Sequence, residues 1–256
     1  MSYNNEPNFC IKEMAEYLPF TSQLEKQFFT RIFSTPKSVY DERIKQIDFT
    51  DKKLVLDAGC GYGQWTMSLN DLNKEVYAID FDSTKLKIAK SLLTKNKKFP
   101  KFQRGSLENL PFKDESFDAI FSYSVLYWTN YEKSLKEFFR ILKPSGSVYF
   151  VTNGIGWSLY NLFSGHSSAN DFNARIHALK TIFSTIKYSI TKKRDVGQSH
   201  YMSKKWVNNF MKEIGFKSVI IKDEGYLNNH ENITLHPFYK KKFFGTTNVF
   251  EVLAQK

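Results

Sequence analysis

The chain has 256 residues, 41% hydrophobic and 25% charged, a composition that excludes a disordered or fibrous protein and fits one sizeable globular unit. It has no long apolar run, no apolar segment near its N-terminus and only two distant cysteines, so we expect no membrane span, no signal peptide, no disulfide framework and a cytoplasmic location. The net charge of +11 admits nucleic acid or phosphate-bearing partners, although the lysines are scattered along the chain as on a solvated surface.

The first fifty residues show no strand-like alternation and predict a helical N-terminal unit, residues 1–50, ahead of a main domain at 51–256. Ser22 and Glu25 have the spacing of a helix capping box, and Pro36 interrupts the helix that they open. A second helix is predicted over 38–47. Whether these helices cover a ligand cleft or only pack on the main domain stays open at this point.

A glycine turn follows the first predicted strand. The apolar residues 54–56 lead into Asp57, and glycines stand at 59, 61 and 63 before a run that favours a helix. This spacing is neither the G-x-G-x-x-G of a dinucleotide-binding turn nor a phosphate-binding P-loop. Since a carboxylate at Asp57 would repel a pyrophosphate, the turn suits a cationic ligand.

The second strand, residues 75–79, ends at another acid. Asp80 lies about twenty residues after the glycines, where nucleotide-binding α/β folds place the carboxylate that binds ribose hydroxyls. Phe81 could then lie against an adenine ring. The alternative role for Asp80 is to cap the next helix, which Asp82 or Ser83 could do instead.

Five more strands are predicted, one with its following loop within 102–112 and the others at 116–123, 147–152, 216–222 and 249–254, with helices between most of them. Such alternation predicts an α/β fold with a doubly wound, mainly parallel, seven-stranded sheet and an antiparallel last strand. Ligands bind such sheets at the C-terminal ends of the strands, where the segment from Ser122 to Trp128 lies. The long connection at 154–202 is interpreted as an inserted lid, against the alternative of a surface insertion without function.

The D-x-G-x-G-x-G pattern at 57–63 and the sequence Arg-Ile-Leu-Lys-Pro-Ser-Gly at 140–146 resemble the class I S-adenosylmethionine (SAM) dependent methyltransferases, in particular their UbiE-like small-molecule group. The resemblance implies a Rossmann-like fold, SAM as cofactor and S-adenosylhomocysteine as product. In this family N-terminal helices often cover the cleft, which implies a cap at 1–50. The implied cofactor contacts are Asp57, Gly59, Gly61, Asp80, Phe81, Ser106, Leu107, Ser122 and Tyr123.

Two positions depart from the family's pattern. Many members have an acid where Ser106 stands and a histidine in the stretch of Tyr127 and Trp128. The family resemblance therefore leaves the general base open. The candidates for catalysis are His200, His166 and Tyr127, ahead of the other histidines, His177, His230 and His236. The predicted substrate contacts are Tyr17, Trp128, Trp157 and His200, and no metal site is expected.

The expected acceptor is a small polar metabolite methylated on oxygen or nitrogen, such as a phosphorylated or nucleotide-linked sugar of surface-polysaccharide or natural-product biosynthesis. The Lys240–Lys242 run and the basic lid favour phosphate. An RNA methyltransferase and a non-catalytic partner protein with the SAM-binding fold are the alternatives. DNA is not expected, because Asn or Asp followed by Pro-Pro and an aromatic residue is missing after the fourth strand. The protein is expected to be a monomer or a homodimer.

Overall fold

A computed structural model of the protein describes residues 7–93, 98–165, 172–194, 197–227, 237–239 and 242–256. Within them one seven-stranded sheet has the order β3-β2-β1-β4-β5-β9-β6, and a short hairpin is formed by β7 and β8. The strands are β1 (Val55–Ala58), β2 (Val76–Asp80), β3 (Lys101–Arg104), β4 (Phe117–Tyr123), β5 (Leu142–Asn153), β6 (Ser218–Asp223), β7 (Lys242–Phe243), β8 (Thr246–Thr247) and β9 (Val249–Gln255).

The described residues also form nine α-helices and one 3₁₀-helix, at Leu126–Trp128. The α-helices are α1 (Pro7–Tyr17), α2 (Gln23–Ser34), α3 (Lys37–Gln46), α4 (Gln64–Leu72), α5 (Ser83–Leu93), α6 (Tyr131–Ile141), α7 (Ile155–Ser164), α8 (Ala174–Thr191) and α9 (Lys204–Glu213).

Strands β3, β2, β1, β4 and β5 run parallel to one another, while β9 lies antiparallel between β5 and β6. The predicted fold class, a mainly parallel seven-stranded sheet with an antiparallel last strand, is therefore confirmed. Parallel strands that are buried on both faces usually have mostly apolar sequences. Strand β1 fits this rule, since all four of its residues are buried.

The sheet lies between two helical layers. Alternate side chains of β1 and β4 point to opposite faces. Helices α3 and α4 contribute to the core on one face, around Trp65 and Phe121. Helices α6 and α9 contribute to the core on the other, around Phe138 and Phe150. Helix α5 packs on β2 and β3, beside the glycine turn.

The N-terminal helices divide between two positions. Helices α1 and α2 pack with Tyr62 of the glycine turn and Ile88 of α5, whereas α3 packs on α4. Ser22 caps α2 as the sequence predicts, although Glu25 reaches back to the backbone N–H of Thr21 rather than to that of Ser22. Helix α1 was not predicted, since only Ile11 and Ala15 of its described side chains are buried. The boundary at residue 50 stays a prediction.

In its described residues, the connection after β5 contains two helices. Helices α7 and α8 pack on each other, and the β7–β8 hairpin packs on α7. Helix α8 begins at Ala174, where Asn173 accepts a hydrogen bond from the backbone N–H of Ile176. None of the helices in the described part of the chain combines the length and the apolar character that crossing a bilayer requires.

Candidate active site

The glycine turn lies at the C-terminal ends of β1 and β2. The backbone N–H groups of Gly59 and Cys60 both donate to the carbonyl of Ile79, at 2.8 and 3.0 Å. Gly59 has a φ of 84°, and a Cβ atom there would lie 2.6 Å from the Val125 side chain. A side chain is therefore excluded at Gly59 by backbone conformation and by space, which leaves the main chain open to close approach.

Asp80 joins the turn to the end of β2. One carboxylate oxygen accepts the N–H of Gly61 at 2.8 Å and the other accepts the N–H of Asp82 at 2.9 Å. Asp82, in turn, caps α5 by accepting from the backbone of Thr84 and Lys85. The helix-capping role is thus filled by Asp82. Asp80 remains at the turn with an acceptor lone pair left on each oxygen.

Asp57 lies on the same side of the sheet as Asp80 and is only 2% exposed. The hydroxyl of Thr66 donates to its carboxyl group at 2.6 Å. Burial raises the pKa of Asp57 to about 7, and the neighbouring charge of Asp80 adds to the effect. Burial likewise raises the pKa of Asp80. A bound cation would favour the ionised form of both carboxyl groups, so the pair suits a positively charged ligand.

Two buried polar atoms flank the turn without a hydrogen-bond partner among the described residues. They are Oε1 of Gln64, directly after the last glycine, and Oγ of Ser124, directly after β4. Ser124 has a φ of 58°, which turns the chain beside Val125. Buried acceptors in native proteins are nearly always paired, so these two atoms fit a ligand that carries N–H donors. The sequence pattern did not single out either residue.

The two residues predicted at the end of β4 point in opposite directions. The Ser122 hydroxyl donates to the carbonyl of Ala58 at 2.8 Å and so links β4 to β1 beside the turn. The Tyr123 ring packs on Trp65, and its hydroxyl donates to Glu224 at 2.8 Å. Strand alternation would have shown that adjacent residues cannot face one ligand through their side chains.

The predicted adenine contacts lie around the ends of β2 and β3. Phe81 is exposed, and its carbonyl accepts from Arg104 at 3.0 Å. Ser106 is exposed and accepts from the backbone of Glu108, while the Leu107 side chain is buried in the core. Phe81 therefore has an accessible ring, and only the main chain of Leu107 is placed to contact a ligand.

Tyr127 lies beyond β4 on the other side of the turn. Burial raises the pKa of its hydroxyl well above the ordinary value, Tyr239 adds to this effect, and Arg31 of α2 opposes it. Trp157 of α7 makes an edge-on contact with Tyr239, with ring centres 5.6 Å apart. Trp128 is partly exposed and lies 5.9 Å from the His177 ring. Aromatic side chains thus lie beside the end of β4, within electrostatic reach of Arg31.

His200 is buried between α6 and α8. Its Nδ1 lies 3.1 Å from the guanidinium of Arg194, and its ring lies 5.5 Å from that of Tyr188 and 6.5 Å from that of Tyr131. Because arginine can only donate, Nδ1 is the acceptor and the imidazole is neutral. These contacts support a packing role, and a catalytic role for His200 stays a prediction.

The remaining residues predicted for catalysis or substrate binding are exposed, lie away from the glycine turn or fall outside the described part of the chain. Tyr17 is exposed at the end of α1. Burial lowers the pKa of His177, and Lys180 adds to this effect. His166, His230 and His236 lie outside the described residues, as do Lys240 and Lys241. Within the described ranges, no group of three or more Asp, Glu, His or Cys side chains could hold a metal ion.

A buried ionic network was not predicted. Arg43 of α3 contacts Glu224 at 2.9 Å and Glu251 of β9 at 3.1 Å, and all three side chains are almost fully buried. Tyr149 donates to Glu251 at 2.7 Å, and Tyr123 donates to Glu224. Burial lowers the pKa of Arg43, but the surrounding acidic groups raise it on balance. The network attaches α3 to the sheet beside the candidate site.

Comparison with known proteins shows which families share this sequence and fold. A family described as "Methyltransferase domain" matches residues 56–150. The uncharacterized methyltransferase YodH of Bacillus subtilis is 42% identical over 95 residues, which are 37% of this chain and 40% of YodH. The chain thus spans well under half the length of that relative. An uncharacterized protein of Methanocaldococcus jannaschii, MJ1252, is 29% identical over 94% of this chain and 88% of its own length.

A crystal structure from Thermotoga maritima, titled as a SAM-dependent methyltransferase and possible histamine N-methyltransferase, has a TM-score of 0.57 and 16% identity, with 91% of this chain and 95% of that chain covered. At this identity the likeness concerns the fold. The matched segment runs from β1 to β5 and contains the glycine turn, Asp57 and Asp80. Residues 56–150 thus match the methyltransferase domain family, and the fold is that of solved SAM-dependent methyltransferases.

Proposed function

We propose that the protein transfers the methyl group of SAM to an oxygen or nitrogen atom of a small molecule. The observation that carries this proposal is the pair of buried carboxyl groups, Asp57 and Asp80, on either side of a turn whose Gly59 leaves no room for a side chain. SAM bears an ammonium and a sulfonium group, and its charge suits this pair.

The residues present fit SAM. Asp80 would accept from the ribose hydroxyls with its remaining lone pairs, and Phe81 would lie against the adenine. Asp57, with the unpaired acceptors of Gln64 and Ser124, would favour the positively charged end. Bound SAM supplies a methyl group that its sulfonium has already activated. The chain therefore has mainly to align the acceptor with that methyl group and to exclude water, and alignment alone supplies several kcal/mol.

The acceptor would lie among Tyr127, Trp157 and Tyr239, beyond the end of β4. Because the pKa of Tyr127 is raised, its hydroxyl stays protonated and can orient an acceptor by donating a hydrogen bond, but it cannot serve as a base at neutral pH. A neutral amine acceptor needs no base before attack. Arg31 acts electrostatically on Tyr127 and favours an acceptor with an anionic group, such as a phosphate.

We extend the proposal to the helices around the site. Helices α1 and α2, which pack on Tyr62, would form the cap over the cofactor, and the connection that contains α7 and α8 would cover the acceptor. In this arrangement Arg31 reaches the acceptor space from the cap. The cap therefore contributes to acceptor recognition as well as to the exclusion of water.

Calorimetric titration with S-adenosylhomocysteine tests the cofactor half of the proposal. Wild type should bind, Asp80→Ala should lose at least about ten-fold in affinity through its lost hydrogen bonds, and Asp82→Ala should bind as wild type. No heat of binding to wild type at high ligand concentration would refute the proposal.

The acceptor half calls for methyl-labelled SAM and fractionated metabolite extracts. With the labelled product in hand, Arg31→Gln should raise the KM for an anionic acceptor and leave the affinity for S-adenosylhomocysteine unchanged. Lys26→Gln, also on α2 but paired with Glu16, is the matched control. An unchanged KM in Arg31→Gln would contradict the anionic acceptor.

RNA is the second candidate acceptor, and the net charge of +11 favours it. RNA binding would weaken steeply with salt, because phosphate contacts release counterions. Failure of a mixed RNA pool to be retained at low salt would eliminate this candidate and leave the small-molecule proposal standing.

A further inference from the structure

The outer face of α8 is apolar, and no other part of the described structure covers it. Five large apolar side chains of this helix are exposed, at 51% for Ile176, 42% for Leu179, 67% for Phe183, 47% for Ile186 and 77% for Ile190. A scattered exposed apolar residue is ordinary in a soluble protein. Five on one helix make a continuous patch of the kind that marks an interaction surface.

Helical geometry arranges these five residues in one stripe. At 3.6 residues per turn they fall within an arc of about 80°, along a helix about 27 Å long. The buried residues of α8, which include Ala178, Ser184 and Tyr188, lie on the opposite side. Apart from Tyr188, the inner face thus carries small or polar side chains and packs on the protein, whereas the large aliphatic side chains and Phe183 point outward. This is the reverse of the pattern of a helix that only packs on a core.

Basic residues border the stripe. Helix α8 contains Arg175, Lys180 and Lys187 and no acidic residue. The same helical arithmetic places Lys180 and Lys187 along one edge of the stripe and Arg175 along the other. Lysine and arginine at such edges can bury their aliphatic stems while the charged ends reach polar groups. The face is therefore apolar in the middle and cationic at both edges.

We propose that α8 docks the protein on an anionic lipid bilayer, lying in the plane of the interface with its five apolar side chains inserted between the head groups. Amphipathic helices with an apolar face beside lysine and arginine residues lie in the interface of anionic bilayers in this way, without crossing them. A second copy of the chain fits less well, because it would bring the same cationic edges to the contact.

The docking helix is connected to the acceptor side of the candidate active site. Its inner residues Thr181 and Ser184 hydrogen-bond to Ser199, at 2.6 Å to the hydroxyl and 2.8 Å to the carbonyl. The next residue, His200, donates its backbone N–H to the carbonyl of Tyr127 at 2.9 Å. Docking would thus hold the segment that lines the acceptor space next to the membrane surface. The docking itself does not depend on the proposed reaction.

Co-sedimentation with lipid vesicles tests the proposal on the full chain. Wild type should sediment with vesicles of equal parts phosphatidylcholine and phosphatidylglycerol, and about ten-fold less with phosphatidylcholine alone, because each basic residue adds to the attraction of an anionic surface. Phe183→Ser combined with Ile190→Ser should lose binding to both kinds of vesicle. Lys180→Glu combined with Lys187→Glu should lose the preference for phosphatidylglycerol.

A matched control removes exposed apolar residues elsewhere. Phe99→Ser combined with Ile220→Ser should sediment with anionic vesicles as wild type does, since these residues lie next to β3 and on β6. All variants should keep the thermal unfolding transition of wild type, which shows that they fold. The proposal is overturned if wild type ignores anionic vesicles, or if the control variant loses as much binding as the α8 variant. It is also overturned if wild type is a dimer that Phe183→Ser with Ile190→Ser dissociates and neither protein binds vesicles.

Discussion

Replacing Asp57 with asparagine should stabilise the ligand-free protein while abolishing cofactor binding. Asparagine has almost the same shape as aspartic acid, and its carbonyl oxygen can still accept the hydrogen bond from Thr66. The change therefore removes a buried negative charge and little else. The protein would keep its fold and lose the group that we propose attracts the cationic end of SAM.

The size of the effect follows from the pKa of Asp57, which burial raises from 3.8 to about 7. A group whose pKa is higher in the folded than in the unfolded state stabilises fully below the unfolded value, and this contribution is lost as the pH rises towards the folded value. Between pH 3.8 and about pH 7 the free energy of unfolding of wild type falls by about 1.36 kcal/mol for each pH unit. The total loss is on the order of 4 kcal/mol. The amide that replaces the carboxyl group does not titrate, so the variant avoids this loss.

Urea denaturation of both ligand-free proteins at several pH values measures the difference. Near pH 4 the two free energies of unfolding should be close, and by about pH 8 the Asp57→Asn variant should be more stable by up to about 4 kcal/mol. For a chain of this size the gain in Tm would be roughly 10 °C. Asp82→Asn, which removes a carboxylate from the same strand end, should show no such pH-dependent gain.

Binding supplies the second half of the test. If SAM favours the ionised form of Asp57, wild type should release a proton on binding near neutral pH, detectable by calorimetry in two buffers with different heats of ionisation. The Asp57→Asn variant should not bind measurably. Our reasoning about Asp57 is refuted if the variant is less stable than wild type above neutral pH, or if the difference between them does not change with pH.

Three further outcomes are expected. Asp80→Asn should weaken binding of S-adenosylhomocysteine by about ten- to a hundred-fold in calorimetry, since a neutral amide accepts more weakly from the turn and the ribose; unchanged affinity would contradict its assigned position. Arg43→Met should lower the free energy of unfolding by about 3–5 kcal/mol in urea, because two buried glutamates lose their cation; a loss below about 1 kcal/mol would mean that water or protonation replaces the arginine. Gly59→Ala should abolish SAM binding or unfold the turn, since its Cβ meets Val125 at 2.6 Å; normal affinity in that variant would show that the turn is not the cofactor site.

Much of the fold could be predicted because its signals are local. The glycine turn, the strand before it, and Ser22 as the cap of α2 depend on residues a few positions apart, and the structure contains each of them. The parallel order with an antiparallel last strand follows from the alternation of strands and helices, which leaves few topologies.

The parts that could not be predicted depend on distant residues. Arg43 sits in a polar helix and meets glutamates 181 and 208 positions away, a pairing that no periodicity in the sequence reveals. Arg31 and Tyr239 likewise approach Tyr127 only through the packing of α2 and the segment after β6. Gln64 and Ser124 carry no motif, and it is their unpaired buried atoms that single them out.

The ionic network has a consequence for how the chain is made. During synthesis Arg43 emerges 208 residues before its partner Glu251 of β9. Until then the third helix has no complete set of partners, and closing so long a loop is intrinsically slow. Helix α3 therefore stays incompletely packed until β9 has been synthesised, and a chain that stops short of β9 would expose α3 to proteases and chaperones.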